Sequence, residues 1–255
     1  MLKYVRVKKM DKKVVLVTGS SIGLGASICE KFASNGYNVV INYLTHEKEA
    51  LTLKKELEEK YKIECLCIEA DISKDDDVLY MHKKVMNTFG KIDVLVNNAS
   101  VAYDTDFDMK VKDIFMKILE INVYGTFNVT KVFGKEMLKN KSGRIINIAS
   151  TNGIDTYYEY GLDYDASKAA IINLTHNLAN HYRPYINVNC VCPGWIDTPM
   201  NKDMDNEFRK KEEEKILLNR FAHPKEIANL VYFLSTDEAS YINDSIIRID
   251  GGKKC

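Results

Sequence analysis

Short apolar runs alternate along the chain with longer stretches in which apolar residues recur every three or four positions. The runs Val14–Thr18, Asn38–Tyr43, Ile63–Ala70, Ile92–Asn97, Arg144–Ser150, Ile186–Cys192 and Ser245–Ile249 are rich in β-branched residues. Such runs predict strands buried on both faces. Between them, Gly23–Asn35, His46–Tyr61, Asp75–Phe89, Val111–Asn140, Asp165–Arg183 and Pro224–Leu234 predict helices. Residues 200–218 predict a mobile amphipathic helix. This alternation predicts an α/β fold, a doubly wound seven-stranded parallel sheet with helices on both faces and right-handed crossovers. No Pro/Gly/Ser-rich linker and no repeat divides the chain. Residues 12–255 are therefore expected to form one domain, with residues 1–11 an N-terminal extension.

Composition narrows the function. Hydrophobic residues make up 45% of the 255 and charged residues 28%, a globular balance that excludes a wholly disordered protein. Lys+Arg and Asp+Glu both number 36, so no global basic excess points to nucleic acid. No apolar run is long enough to span a bilayer, and the basic N-terminus lacks the apolar core of a secretory signal. Six cysteines are too few for a disulfide scaffold, so a reduced, cytoplasmic protein is expected. The pairs Cys65/Cys67 and Cys190/Cys192 lack the usual zinc spacing and read as packed free thiols. The five histidines show no ligand spacing, and no catalytic metal is expected.

The first strand runs directly into Gly19-Ser20-Ser21-Ile22-Gly23-Leu24-Gly25 and then into a helix. Glycines permit a tight turn and close approach of backbone to a ligand. The helix start offers unpaired N–H groups suited to a pyrophosphate. An acidic residue that grips an adenosine ribose is expected about 20 residues on. That position holds Tyr43. A carboxylate there would repel a 2′-phosphate, so its absence leaves room for NADP, with NAD the alternative. Only His46 and Lys48 supply positive charge nearby.

Tyr-x-x-x-Lys occurs three times: Tyr4/Lys8, Tyr80/Lys84 and Tyr164/Lys168. Residues four apart share a helix face. Only the third pair follows a strand ending in Ser150, the end at which open α/β sheets bind ligands. A phenol of pKa near 10 is a poor acid–base group at neutral pH, and a nearby ammonium favours its ionised form.

Together with Asp71-Ile72, Asn97-Asn98-Ala99-Ser100, Asn122, Pro193-Gly194-Trp195-Ile196-Asp197-Thr198 and Asp250-Gly251-Gly252, these motifs extend over nearly all of residues 12–252. In order and spacing the sequence resembles the short-chain dehydrogenases/reductases, of the single-domain type that includes 3-oxoacyl-[acyl-carrier-protein] reductases and glucose 1-dehydrogenases. The resemblance implies a Rossmann sheet and hydride transfer between NAD(P)H and a carbonyl/alcohol pair. It implies that Tyr164 exchanges the proton of the substrate oxygen and that Ser150 hydrogen-bonds that oxygen. Lys168 would lower the Tyr164 pKa and hold a ribose, and Asn122 would position a relay water. Gly19, Ser21, Ile22, Gly23, Gly25, Tyr43, Asp71, Ile72, Asn98 and Ala99 would line the nucleotide. Pro193, Gly194, Ile196 and Thr198 would cover the nicotinamide.

Two departures stand out. Ser100 replaces the family's usual glycine, and Tyr157-Tyr158-Glu159-Tyr160 is unusually aromatic and acidic. That segment reads equally as a pocket wall or as a surface for a neighbouring subunit. The substrate implied is a small carbonyl or alcohol, nearest to a 3-oxoacyl thioester on acyl carrier protein. An acidic carrier would need a basic patch at the site mouth, for which Lys139, Lys141 and Arg183 are candidates. These lysines and this arginine also read as ordinary surface charge. A sugar or polyol dehydrogenase and a non-enzymatic NAD(P) sensor remain alternatives. The family further implies a homotetramer.

Overall fold

The computed structural model describes residues 12–201 and 204–253. The predicted extension over residues 1–11 lies outside the described residues. The chain runs β1 (Val14–Val17), α1 (Gly23–Ser34), β2 (Asn38–Tyr43), α2 (Glu47–Tyr61), β3 (Cys65–Glu69), α3 (Asp75–Phe89) and β4 (Val94–Asn97). It continues through α4 (Lys112–Leu119), a π-helical turn (Glu120–Gly125), α5 (Thr126–Lys139), β5 (Gly143–Ile148), α6 (Leu162–Tyr182) and β6 (Ile186–Pro193). Last come α7 (Asn206–Glu214), α8 (Pro224–Leu234) and β7 (Ile246–Ile249).

The seven strands form one parallel sheet in the order β3-β2-β1-β4-β5-β6-β7. The order reverses between β1 and β4, which makes a crevice at their carboxyl ends. Alternation along β1 divides the core. Val15 and Val17 pack with Ile28 and Phe32 of α1 and Val231 of α8, whereas Val14 and Leu16 pack with Met81 of α3 and Phe133 of α5. Helices thus cover both faces, as predicted.

Local signals explain the helix ends. Asp75, Asp76 and Asp77 face the positive end of the α3 dipole, and Gly90 ends the helix at φ 71°. His223 and Glu226 form a reciprocal cap on α8, with Pro224 in its first turn.

Three predicted boundaries need correction. The stretch Val111–Asn140 is not one helix, because the π-helical turn separates α4 from α5. Gly125 lies in that turn, where a Cβ would stand 2.6 Å from Ile72 Cδ1. The predicted Asp165 helix start moves back to Leu162, which puts Tyr164 inside the first turn of α6. The helix expected over 200–218 is confined to α7, whose start is fixed by Asp205 accepting from the N–H groups of Glu207 and Phe208.

Both cysteine pairs are free thiols on strands. Cys190 and Cys192 share a face of β6 with Sγ atoms 3.8 Å apart, packed with Ala149 and Ile171.

Candidate active site

The glycine loop is held at the end of β1 by groups from two neighbouring strands. The Gly19 N–H donates to Asn42 Oδ1 (3.1 Å), and the Ser20 N–H to the Asn42 carbonyl (2.8 Å). Thr18 Oγ1 accepts from the N–H groups of Asn98 and Ala99, both at 3.0 Å. Asn98 Nδ2 donates to the carbonyls of Thr18 and Gly19, both at 2.9 Å.

Gly19 and Gly23 have φ of +58° and +61°, which favours glycine. A Cβ on Gly25 would lie 2.6 Å from the Gly19 carbonyl oxygen. Ile22 supplies no side-chain cap to α1, so the first N–H groups of this helix are open to an anion. The loop's shape, its open amides and its place at the strand-order reversal fit a dinucleotide pyrophosphate.

The segment after β6 closes over this loop. Thr198 Cβ lies 3.7 Å from where a Cβ on Gly23 would stand. Gly194 donates to the Ile249 carbonyl (3.0 Å), Pro193 ends β6, and Ile196 pairs with Ala222. Trp195 stacks on Phe221 at 5.4 Å and donates to Glu212 Oε2 (3.2 Å). Tyr158 turns inward and meets Tyr160, Trp195 and Phe208 edge-on or tilted, at 5.5–6.1 Å. Tyr157 is 87% exposed. The aromatic segment therefore divides, Tyr158 packing within the chain and Tyr157 facing outward.

Tyr43, at the end of β2, is buried, and its hydroxyl lies 3.5 Å from Glu47 Oε1. Asp71 accepts from the Ser73 N–H (3.0 Å) and hydroxyl (2.7 Å), shaping the turn into α3. Ser21 and Ile72 are buried beside the loop and the π-helical turn, respectively.

Ser150, Tyr164 and Lys168 converge at the carboxyl end of β5. Ser150 stands within hydrogen-bonding reach of the Tyr164 phenol. The Lys168 Nζ lies 5.2 Å from the Tyr164 ring centroid and donates to the Ile148 carbonyl at 3.0 Å. Burial around the hydroxyl pushes the Tyr164 phenol up to about 12, opposed by the Ser150 hydrogen bond. Burial also pulls Lys168 down to about 8. In this structure, therefore, desolvation outweighs the expected lowering of the phenol by its lysine.

That burial carries a stability consequence. Lys168 is 3% exposed, and its folded pKa lies below the ordinary 10.5. Its contribution to stability is complete above pH 10.5 and falls away as pH drops through about 8. At pH 7 the buried ammonium costs on the order of 3 kcal/mol. Lys168→Met is expected to raise the unliganded Tm by about 5 °C. Thermal unfolding at pH 7 checks this, and an unchanged Tm would mean that the Ile148 bond offsets the burial.

Asn122 is buried in the π-helical turn. Its side chain accepts from the Val101 N–H (2.8 Å) and donates to the Val101 carbonyl and Ser167 Oγ, both at 3.0 Å. The side chain thus braces the backbone. Its main-chain carbonyl accepts from Thr126 Oγ1 (2.8 Å).

Two arrangements escaped sequence reasoning. Asn42 braces the glycine loop. Beneath the site, Asn97 donates to Thr130 and Asn147 (both 2.8 Å), and Asn147 to Thr175 (2.9 Å), tying β4 and β5 to α5 and α6. A buried asparagine at the end of a strand run is the available signal, since it must find partners.

The proposed basic patch is contradicted. Lys139 follows from α5 into β5, and Arg183 from α6 into β6, so Lys139, Lys141 and Arg183 stand at the amino ends of the strands. The site stands at the opposite, carboxyl edge. Charge reversal at Lys139 and Lys141 is expected to leave kcat/KM for a carrier-bound acyl substrate within twofold. A larger loss in steady-state assays would contradict this placement.

The described residues contain no helix long and apolar enough to cross a membrane. A family model described as enoyl-(acyl carrier protein) reductase matches residues 19–254. A short-chain dehydrogenase/reductase from Serratia marcescens has a structure similar to this one, with TM-score 0.89 and 32% identity, covering 94% of this chain and 97% of that one. The chain belongs to the short-chain dehydrogenase/reductase family and is an oxidoreductase.

Within that family it is similar to the 3-oxoacyl-[acyl-carrier-protein] reductase of Aquifex aeolicus, at 37% identity over 96% of this chain and 98% of the relative. The protein of the same name from Staphylococcus epidermidis is 36% identical over 94% of this chain and 98% of its own. That from Thermotoga maritima is 32% identical over 96% and 98%.

Proposed function

We propose that the chain reduces the keto group of a 3-oxoacyl thioester, of the kind borne by acyl carrier protein, with NADPH. The observation that carries this reading is the meeting of Ser150, Tyr164 and Lys168 at the carboxyl end of β5, beside the glycine loop. When bound, the nicotinamide supplies the hydride.

The residues do the rest. Ser150 donates to the substrate carbonyl oxygen and orients it. Tyr164 gives its phenolic proton to that oxygen as charge develops there. The Lys168 ammonium favours the resulting phenolate and holds the cofactor ribose. A water on the Asn122 carbonyl returns the proton through Lys168. Gly19, Ser21, Ile22, Gly23 and Gly25 cradle the pyrophosphate. Asp71 and Ile72 flank the adenine, Asn98 and Ala99 follow the riboses, and Pro193, Gly194, Ile196 and Thr198 cover the nicotinamide. The lack of a carboxylate at Tyr43 supports NADP over NAD. Glu47, the carboxylate beside it, is engaged with the Tyr43 hydroxyl.

The family description names reduction of a carbon–carbon double bond, and the relatives' names a carbonyl. Two hydroxyls gathered where one oxygen can meet both favour the carbonyl. A homo-oligomer is the proposed assembly, supported by the exposed Tyr124 and Phe127 around the start of α5.

Absorbance at 340 nm, with purified protein, acetoacetyl-CoA and either NADPH or NADH, tests the reading. Faster oxidation of NADPH is expected. Inactivity there, with NAD(P)⁺ reduced by sugars or polyols, would move the substrate to an alcohol dehydrogenase's.

A further inference from the structure

A buried ion pair lies directly behind Tyr164. Lys110 Nζ is 2.8 Å from Asp163 Oδ1, with side chains 8% and 1% exposed. The same oxygen accepts from the Tyr164 N–H (3.0 Å). Asp163 Oδ2 is buried with no hydrogen-bond partner, so Lys110 is the cation that compensates this carboxylate. Lys110 stands two residues before α4, and Asp163 lies in the first turn of α6. The segment between Val101 and Lys110 is therefore fastened by Asn122 at its start, by the Tyr160 carbonyl accepting from the Thr105 N–H (3.2 Å) at its middle, and by Asp163 at its end.

The surroundings are acidic. Asp104, on the same segment, and Asp165, on α6, both face Asp163 and Lys110. Asp104 and Asp165 also act on the Tyr164 phenol, raising its pKa. The remaining polar groups facing that phenol are Ser150, after β5, and Lys168, on α6. An unpaired Asp163 would add a third negative charge to this group, in a low-dielectric setting where charge acts strongly.

We propose that Lys110 is a positioning residue, which clamps residues 101–110 to the first turn of α6 and cancels the Asp163 charge that would otherwise oppose the Tyr164 phenolate. This rests on Tyr164 being the proton-transferring group. An unpaired carboxylate opposes ionisation of the phenol, whereas an unpaired ammonium favours it. The two halves of the pair therefore have opposite signs, which a merely structural role would not give.

The test is the pH dependence of 3-hydroxybutyryl-CoA oxidation by NADP⁺, in which the rate rises as the phenol ionises. Lys110→Met is expected to move the rising limb up by about one pH unit and to lower kcat about tenfold at pH 7. The NADPH Kd should stay within twofold. Asp163→Asn is expected to move the limb down. Lys110→Arg should retain the native limb, and the double variant Lys110→Met/Asp163→Asn should return towards it. Limbs that stay fixed, or that move in the same direction for both single variants, would overturn the proposal. If Lys110→Met does not fold, Asp163→Asn and Lys110→Arg decide it by the same signs. The ultraviolet phenolate band of each variant minus its Tyr164→Phe counterpart, with NADP⁺ bound, reads the same shift without turnover. Full turnover by Tyr164→Phe alone would remove the underlying reading. Loss of turnover there with unmoved limbs would remove only the role of Lys110.

Discussion

Tyr164→Phe is expected to lower kcat by about a thousandfold while leaving the NADPH Kd within a few-fold. A positioned general acid contributes roughly 10²–10⁴ in rate. The ring carbon framework stays in place in phenylalanine, so packing and the approach of Lys168 to the ring are retained. Only the proton and its hydrogen bond to Ser150 disappear. The Tyr164 ring stands at the carboxyl end of β5, whereas the loop that fits the pyrophosphate stands at the end of β1. The two readouts therefore separate. Steady-state kinetics measure the first, and quenching of protein fluorescence by NADPH measures the second. Retained turnover would mean that another group supplies the proton.

Gly25→Ala is expected to weaken NADPH binding at least tenfold and to lower Tm. The new methyl would stand 2.6 Å from the Gly19 carbonyl oxygen, 2.7 Å from Asn98 Nδ2 and 2.7 Å from Ser20 Cα. Two of these three neighbours are backbone, so relief requires the loop itself to open. Opening it breaks the Asn98 bridge to Thr18 and Gly19 and misplaces the amides at the start of α1. Gly36→Ala provides the contrast. Gly36 has φ +82° but nothing within 4 Å of an added Cβ. That variant should lose about 1 kcal/mol of stability through backbone strain and keep its NADPH affinity. Fluorescence titration and thermal unfolding distinguish the two. Equal NADPH affinity in both variants would refute the cradle.

The strands and most helices were legible because burial leaves a local imprint. β2 matches its predicted bounds, since all six of its residues are buried between two helical layers. α3 matches because an aspartate run opens it and Gly90 closes it. The π-helical turn was not legible, since one extra residue in a turn barely disturbs helical periodicity. The candidate site residues were named by motif, and the fold brings Ser150, Tyr164 and Lys168 together at the carboxyl end of β5. Their supports were not found. Asn97 and Asn147 are 50 residues apart in sequence, and Lys110 and Asp163 are 53 apart, so no local pattern joins them. Lys139, Lys141 and Arg183 were assigned to the wrong edge although chain order fixes it: all three precede their strands, β5 or β6, and so stand at the amino ends.

α7 buries none of its residues among the core. Its attachments include Arg209 to Asp197 (3.1 Å) and over the Phe221 ring (4.7 Å), Trp195 to Glu212 (3.2 Å), and the ring contacts of Phe208 with Trp195 and Tyr158. None of these reaches the sheet, so this helix can detach at a free energy far below that of global unfolding. Its amide protons will exchange with solvent deuterium long before those of β1 or β4. Among the described residues, a protease acting on the native chain will nick this helix before the strands, and the two fragments will stay associated, because all seven strands remain hydrogen-bonded across the cut.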